Sequence, residues 1–455
     1  MSLTSALSNS LSGLNATARA AEVVSSNVAN ANTDGYGVRS LNTSANATTG
    51  AGGGVHVDGI GRRVDVLSQA SRRATDAELG QSQTRGAFFD SLQFAMGLPE
   101  ETGSLSSLVG QLEADLLYAS TRPDIDLRLE NAVNTTVAVA DKLNVLSDHV
   151  QNQRESAEAE ISAAVSRLNT SLKNIEDLNA KIRTVGALDH DTSALKDARD
   201  QQIDAISDLV PIRIMEQDFD QIALLTDTGT YLLNGPAVQF SFDTANTITT
   251  DMTLTSGALA PLTMDGRSLD MDATFNPVAG GRLEALFDVR DKIAPEAQRQ
   301  LDVIAGDLVD RTTGSGVDPT WVAGAPGIFT DAGIFFDPSN LEGLSSRIAV
   351  NDDLVPSQGG AVYRLRDGLL ATAPGDTGNA SVLLALGSAL ASETTAPLVA
   401  GQMNSGSARS LTDTLLSEVS SRGLAEHDAT AFSAAKWSSF RNTELHAGVD
   451  IDQQM

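Results

Sequence analysis

Apolar residues recur at helical spacing through the first thirty residues of the chain. Intervals of three and four residues separate them, and most of the positions between them are Ser, Asn or Thr. The pattern consists of Leu3, Leu7, Leu11, Leu14, Ala18, Ala21, Val24 and Val28. Because Ser, Asn and Thr give a helix low intrinsic stability, we expect an amphipathic helix that needs a surface to pack against. The alternative is a helix that packs on its own domain.

This helix is predicted to end within the sequence ANANTDGY at residues 29–36. Asn30 competes with the helical backbone for hydrogen bonds, and Gly35 tolerates a positive φ. Tyr36 then offers an aromatic anchor. The Gly- and Thr-rich stretch that follows indicates an extended connection, and alternation over residues 55–67 predicts one or two short strands.

The strongest helical pattern lies between residues 143 and 182. It forms a near-heptad seam that is interrupted at Arg154, and it predicts a rod-like helix packed against other long helices. The seam residues are Leu143, Leu146, Val150, Ala157, Ile161, Val165, Leu168, Leu172, Ile175, Leu178 and Ile182.

The rest of the chain alternates between helical and strand-like patterns. Further helices are predicted at residues 88–118, 192–209, 283–311 (with a kink at Pro295), 379–391 and 407–445. Strands are predicted near Ile212 and Ile214, at residues 222–226 and 231–233, and within residues 314–355.

These elements predict a mainly α fold with a β-rich part (α+β). We expect an elongated multi-domain molecule with a long antiparallel helical bundle from both chain ends and a projecting β-rich domain. The predicted units are 1–70 (N-terminal helix and extended linker), 71–210 with 280–315 and 376–447 (helical core), 211–279 and 316–375 (β-rich outer domain), and 448–455 (start of a C-terminal segment).

Composition excludes several classes of function. The net charge of −28 over 455 residues disfavours binding to nucleic acid or to an anionic membrane surface. The chain has no cysteine, so disulfides and thiolate metal sites are excluded. It begins without the basic and apolar regions of a cleaved signal peptide, and it has no apolar run long enough to span a bilayer.

No catalytic motif stands out. The five histidines are scattered, and the sequence contains no HExxH, P-loop or GxSxG pattern. Asp218 and Asp220 indicate a solvated turn, and Asp197, Arg199 and Asp200 indicate a surface ion-pair network. We therefore predict that the chain is not an enzyme and has no catalytic residue, cofactor or metal.

The segment at residues 29–36 resembles the ANxxTxGY/F signature of flagellar axial proteins, the superfamily of rod, hook and hook-associated proteins. Three longer segments resemble the FlgK family, flagellar hook-associated protein 1. They are the start of a helix at Phe88 and Phe89, LKDARDQQIDAISDLV at residues 195–210, and GGRLEALFDVRDKIAPEAQRQLD at residues 280–302. GDTGNA at residues 375–380 is similar to the GDNxNA of that family, with Thr377 in place of Asn.

The resemblance implies a structural subunit at the junction of hook and filament, in the extracellular flagellum. Its partners would be copies of itself in a ring, the hook protein, other hook-associated proteins, the flagellar export apparatus and an export chaperone, with no nucleic acid and no membrane. Assembly would use coiled-coil packing of terminal helices. The residues expected to carry assembly are Leu3, Leu7, Leu11, Leu14, Val24, Val28, Ala29, Asn30, Thr33, Gly35 and Tyr36.

Two other readings stay open. Another axial protein (hook, distal rod or third hook-associated protein) would share the N-terminal signature but lack the segment at residues 280–302. A secreted adhesin or hydrolase would need a repeat array or a catalytic constellation. Family members typically continue past a GVNLDEE-like segment into a last amphipathic helix, whereas this sequence ends soon after GVDID at residues 448–452, so we expect the N-terminal helix to lack that partner.

Overall fold

The computed structural model describes residues 3–31, 33, 35–45, 53–188, 190–273, 275–395 and 405–448. The helices are α1 (Leu3–Ala29), α2 (Val66–Met96), α3 (Leu105–Thr121), α4 (Asp126–Gly186), α5 (Ser193–Asp204), α6 (Arg282–Asp288), α7 (Ala294–Thr312), α8 (Leu344–Arg347), α9 (Arg364–Asp367), α10 (Ser381–Ala391) and α11 (Ala408–Ala447). The strands are β1 (Val38–Ala45), β2 (Val55–Arg63), β3 (Ile212–Glu216), β4 (Ile222–Thr226), β5 (Tyr231–Leu233), β6 (Phe240–Ser241), β7 (Thr263–Met264), β8 (Arg267–Ser268), β9 (Phe329–Asp331), β10 (Ile348–Val350), β11 (Thr394–Thr395) and β12 (Ser405–Gly406).

Among the described residues, the strands form small antiparallel sheets: β1–β2, β3–β4–β5, β6–β7–β8, β9–β10 and β11–β12. Helices make up most of the remainder. The predicted mainly helical α+β class is confirmed.

Helices α2 and α11 pack along each other in opposite directions. Arg72, near the start of α2, pairs with Glu444 near the end of α11 at 2.9 Å. At the other end, Asp90 of α2 lies 2.8 Å from His427 of α11. Elements from both halves of the chain therefore form a long antiparallel pair, as the sequence predicts.

Helix α4 is continuous over 61 residues, which confirms the long helix predicted from the seam. The seam residues are buried, apart from Leu178, which is half-buried. Helices α3, α5, α7 and α8 pack around this helix. The apolar pattern persists along the helix because one face of α4 is covered by other elements along most of its length.

The kink predicted at Pro295 is a π-helical turn over Val289–Ile293, between α6 and α7. The amide of Ala294 donates to the carbonyl of Val289 across this turn. Pro295 follows at the start of α7 and has no N–H to continue the ladder. The helix therefore changes its hydrogen-bond register at this point.

Strands β3, β4 and β5 lie where the sequence predicts strands, and their segment packs on α4. The side-chain amide of Asn179 donates to the carbonyl of Ile222 at 2.9 Å, and Asn169 donates to the carbonyl of Phe240 at 2.8 Å. The buried apolar cluster runs without interruption from the helices into these strands. The division into a helical core and a β-rich outer domain stays a prediction.

Two predictions near the N-terminus were wrong. Strand β1 lies in the stretch predicted to be an extended connection, where it pairs with β2. Helix α2 begins at Val66, so Phe88 and Phe89 lie inside a helix and do not start one. The first half of α2 is rich in Arg, Thr, Gln and Ser, which hides its helical period, and its start is fixed by Asp65, whose carboxylate accepts from the amide of Ser68 at 3.1 Å.

The predicted turn at Asp218 and Asp220 is confirmed, since Phe219 and Asp220 both have a positive φ, near 60°. Helix α5 ends earlier than predicted, at Asp204. The prediction of a surface ion-pair network at Asp197, Arg199 and Asp200 was wrong, because all three residues are buried.

Candidate assembly surface

Helix α1 exposes four leucines along one side. Leu3, Leu7, Leu11 and Leu14, hereafter the leucine stripe, are between 59% and 92% exposed. Polar side chains of this helix satisfy themselves locally: the hydroxyl of Ser10 donates to the carbonyl of Ala6, and that of Thr17 to the carbonyl of Gly13. The leucine stripe thus presents apolar surface to solvent on a helix about 40 Å long.

The opposite side of α1 packs against the antiparallel pair of β1 and β2. Ala16 and Val23 are buried there, and the hydroxyl of Ser12 accepts from the amide of Val55 at 3.1 Å. At 3.6 residues per turn, these positions lie roughly 170° around the helix from the leucine stripe. One side of α1 is therefore held by its own chain while the other side stays open.

The end of α1 is closed by local hydrogen bonds in the ANANTDGY segment. The side-chain amide of Asn30 donates to the carbonyl of Ser26 at 2.9 Å, and the amide of Thr33 donates to the carbonyl of Asn30 at 2.9 Å. Gly35 has φ +77°, and a Cβ at this position would lie 2.9 Å from Cγ of Gln201. The backbone conformation and the close approach of α5 both favour glycine here.

Asn27 joins α1 to the chain that follows. Its amide group donates to the carbonyl of Arg39 at 2.9 Å, and its side-chain oxygen accepts from the amide of Arg39 and the hydroxyl of Tyr36, both at 3.0 Å. Asn27 is fully buried, and the guanidinium of Arg39 lies 5.0 Å from the ring centre of Tyr36. These contacts fix where the chain turns from α1 into β1.

Two carboxylates of α5, those of Asp197 and Asp200, bind the residues around this turn and the end of β2. Asp197 accepts from the amide of Gly37 at 3.0 Å and pairs with Arg39 at 3.3 Å and Arg62 at 2.7 Å. Arg62 also pairs with Asp200 at 2.5 Å. Burial acts to lower the pKa of Arg62, but the two carboxylates outweigh it, so its pKa is raised and the cation is retained.

The ion pairs continue into α2 and α11. Arg73 pairs with Asp200 at 3.3 Å and with Asp204 at 2.6 Å. Arg72 pairs with Asp204 and with Glu444, each at 2.9 Å. Burial raises the pKa of Glu444 despite its contact with Arg72. The start of the hairpin, the start of α2 and the end of α11 therefore meet on one face of α5.

A cavity of about 240 Å³ lies at this meeting point. Residues from both ends of the described chain line it, including Tyr36 and Val38 on one side and Leu445 and Gly448 on the other. The described part of α11 thus ends beside the segment where α1 joins the core.

Family models match two parts of this architecture. Residues 89–314 match the model described as Flagellar hook-associated protein FlgK helical domain, and residues 7–36 match the one described as Flagella basal body rod protein. The second match covers α1 and its closing segment, and the first covers α3 to α7. The chain belongs to the FlgK family.

Similar proteins agree with this assignment. The chain is 24% identical over 310 residues to flagellar hook-associated protein 1 of Escherichia coli (strain K12), which covers 63% of this chain and 56% of that protein. It is 25% identical over 229 residues to flagellar hook-associated protein 1 of Bacillus subtilis (strain 168), covering 48% and 45% respectively. The matches therefore span about half the length of these curated relatives.

A solved structure, titled the flagellar hook junction protein FlgK from Burkholderia pseudomallei, is also similar. It is 15% identical with a TM-score of 0.45, covering 57% of this chain and 46% of that one.

In this member of the FlgK family, the residues predicted for assembly fall into two groups. The leucine stripe, Val28, Ala29 and Thr33 are exposed. Val24, Asn30, Gly35 and Tyr36 are half-buried in the contacts between α1, the hairpin and α5. The predicted set therefore includes the exposed leucine stripe and part of the contacts among α1, the β1–β2 hairpin and α5. These contacts, hereafter the joint, hold the helix that carries the stripe.

Sequence reasoning missed the other half of the joint. Asn27, Arg39 and Arg62 lie in it, and the ion pairs of Asp197 and Asp200 were assigned to the protein surface. The spacing of Asp197, Asp200 and Asp204 along one side of a predicted helix was the available signal. Nothing local to those positions indicates that arginines far away in sequence would cover them.

Other kinds of site find little support in the described parts of the chain. Within them, no group of three or more His, Cys, Asp or Glu side chains is arranged to hold a metal ion. None of the described helices combines the length and the apolarity needed to cross a membrane.

Proposed function

We propose that this chain is a structural subunit of the bacterial flagellum, located at the junction of hook and filament, and that it is not an enzyme. Membership of the FlgK family supports the location. The observation that carries the proposal is the leucine stripe of α1, which is open to solvent while the opposite side of the helix is fixed.

Assembly would bury the leucine stripe against helices of neighbouring subunits. Burying four leucines contributes on the order of 6–12 kcal/mol to this association. The other residues proposed for assembly, Val24, Val28, Ala29, Asn30, Thr33, Gly35 and Tyr36, would continue this contact or hold it in place. The partners would be further copies in a ring, the hook protein and other hook-associated proteins.

Export would precede assembly. We propose passage through the flagellar export apparatus with the help of an export chaperone and without a cleaved signal peptide. A chain without cysteine cannot form disulfides before or after export, which suits this route.

The domain division is part of the proposal. Residues 1–70 would form the axial unit, residues 71–210 with 280–315 and 376–447 the helical core, and residues 211–279 with 316–375 the β-rich outer part. Residues 448–455 would begin a C-terminal axial segment; those after 448 lie outside the described residues. Since β3 to β6 share their apolar cluster with α4, the β-rich part would be a layer docked along that helix.

A second axial role, as hook protein, distal rod protein or third hook-associated protein, is favoured by the match of residues 7–36 to the rod-protein model. The helical-domain match over residues 89–314 favours the hook–filament junction instead.

A complementation experiment tests the proposal. Leu7→Asp with Leu11→Asp is introduced into the full-length gene and expressed in a flagellated host that lacks its own hook-associated protein 1. We expect loss of motility and of the chain from purified flagella, with the melting temperature of the purified chain unchanged. Ser8→Asp with Asn15→Asp adds the same charges at exposed positions beside the stripe and serves as the control. Normal incorporation of the Leu7/Leu11 variant would contradict the proposal.

A further inference from the structure

The direction of α1 depends on how its hairpin is attached to the core. Helix α1 makes its principal contacts with β1 and β2. Strand β2 in turn contacts α5. The path from the leucine stripe to the long helices therefore runs from α1 through the hairpin to α5.

Apolar packing does little to fix this attachment. Of the described residues in β1 and β2, Val38 alone is buried. A two-stranded hairpin with one buried side chain has little apolar surface with which to define its orientation. The remaining contacts to α5 are polar, and they are directional.

The polar contacts converge on one side of α5. Asp197, Asp200 and Asp204, hereafter the aspartate face, lie at helical spacing and pair with arginines from three other elements. The side chains of Arg62, Asp197 and Asp200 are each at most 12% exposed, so the pairs are held away from solvent. Planar guanidinium groups with several donors impose geometry on their partners, even where their net contribution to stability is small.

We infer that the aspartate face of α5 orients α1, so that the leucine stripe points in one direction from the helical core. The inference rests on the proposed role of the leucine stripe in assembly. It adds that the leucine stripe already has a fixed orientation relative to the helical core before any partner binds. Removing the negative charges of Asp197 and Asp200 would leave the helical core folded but would allow the orientation of α1 relative to that core to vary.

A distance measurement on the free chain tests this inference. The chain has no cysteine, so Ser8→Cys on α1 and Ser421→Cys on α11, both exposed, place two spin labels without further changes. Double electron–electron resonance on this doubly labelled chain, with Asp197 and Asp200 intact, should give one narrow distance peak. Asp197→Asn with Asp200→Asn, which preserves side-chain shape, should abolish that single peak and give a broad or split distribution.

A matched control separates this joint from ion pairs in general. Asp124→Asn breaks the exposed pair with Arg122 and should leave the distance peak unchanged. An unchanged peak in the Asp197/Asp200 variant would overturn the inference. If that variant loses its helical circular dichroism, the same distance is measured in Arg62→Gln, provided that this variant keeps its helical circular dichroism. An unchanged distance peak in Arg62→Gln would then overturn the inference.

The measurement uses free monomers, so it does not depend on assembly. If the Asp197/Asp200 variant changes the peak while Leu7→Asp with Leu11→Asp still assembles, the orienting role stands and the proposed function fails. The reverse pair of results rejects the orienting role and keeps the proposed function.

Discussion

Asn27 is a fully buried polar residue on the side of α1 that faces the hairpin, and both its side-chain nitrogen and its side-chain oxygen make hydrogen bonds. It donates to the carbonyl of Arg39 and accepts from the amide of Arg39 and the hydroxyl of Tyr36. An apolar residue of similar size would leave those partners buried without hydrogen bonds, which costs more than the packing it adds. The position therefore selects for amide geometry.

Asn27→Ala should loosen the hairpin without unfolding the long helices. Loss of these hydrogen bonds should speed amide exchange at Arg39 by about 10- to 100-fold, which corresponds to about 1–3 kcal/mol of local opening. Hydrogen exchange resolved to single residues measures this, and Asn15→Ala, at an exposed position of the same helix, serves as the control. Equal exchange rates at Arg39 in the unsubstituted chain and the Asn27 variant would refute the account of this joint.

Asp367 orders the start of the GDTGNA segment. Its carboxylate pairs with Arg366 at 2.7 Å and accepts from the amide of Gly375 at 2.9 Å. The ion pair with Arg366, assisted by that amide, lowers the pKa of Asp367 below its ordinary value of 3.8. A carboxylate with a lowered pKa stabilises the folded state above its unfolded pKa and loses this contribution as the pH falls through its folded pKa.

Asp367→Asn should therefore lower the free energy of unfolding by about 1–2 kcal/mol at pH 7. The difference from the unsubstituted chain should shrink as the pH falls below the ordinary value of 3.8 and then through the lower pKa of the folded state, because the carboxylate becomes protonated first in the unfolded and then in the folded chain. Urea unfolding across this range measures it, with Asp177→Asn, which alters an exposed pair on α4, as the control. A difference that stays constant with pH would show that the charge of Asp367 is not its cause.

At the scale of elements, Arg154 explains why the seam of α4 is interrupted. Pro295 has no N–H, so the π-helical turn before it leaves the carbonyl of Arg290 available. Nε of Arg154 donates to that carbonyl at 3.0 Å, and the guanidinium also donates to the carbonyls of Thr249 and Met252. One arginine therefore joins α4, the π-helical turn and the segment that follows β6.

Arg154→Met should destabilise the fold, although methionine suits an apolar seam. Three carbonyls would lose their donor, the carbonyl of Arg290 at a buried contact, and the expected loss in free energy of unfolding is about 2–4 kcal/mol. Urea unfolding followed by circular dichroism measures it. Arg183→Met, at an exposed position of α4, should change stability by less than about 0.5 kcal/mol. A neutral or stabilising Arg154→Met would contradict this explanation of the interruption.

Elements with a repeating apolar face could be predicted from the sequence, and elements held by distant polar contacts could not. Helix α4 and strands β4 and β5 were found because the period of the pattern is local. The first half of α2 and strand β1 were missed because their partners, including Asp204 and Asp197, are more than a hundred residues away. For the candidate site, the leucine stripe was visible in the sequence and its joint was not.

At the scale of the whole molecule, α2 and α11 bring both halves of the chain to the joint with α1. Arg72 pairs with Glu444 in the last turns of α11, and Tyr36 and Leu445 line the same cavity. Helix α1, with its exposed leucine stripe, therefore joins the core beside the described end of the chain. This arrangement places the proposed assembly surface at one end of the long helices.

Cysteine accessibility tests the central claim that the leucine stripe is open in the free chain and covered in the flagellum. Leu11→Cys and Ala16→Cys are introduced separately into the otherwise cysteine-free sequence, and maleimide labelling is compared for free chain and purified flagella. We predict that Leu11→Cys is labelled in the free chain and protected in flagella, whereas Ala16→Cys, which lies against the hairpin, is protected in both. Rapid labelling of Leu11→Cys in intact flagella, or its protection in the free monomer, would contradict the account.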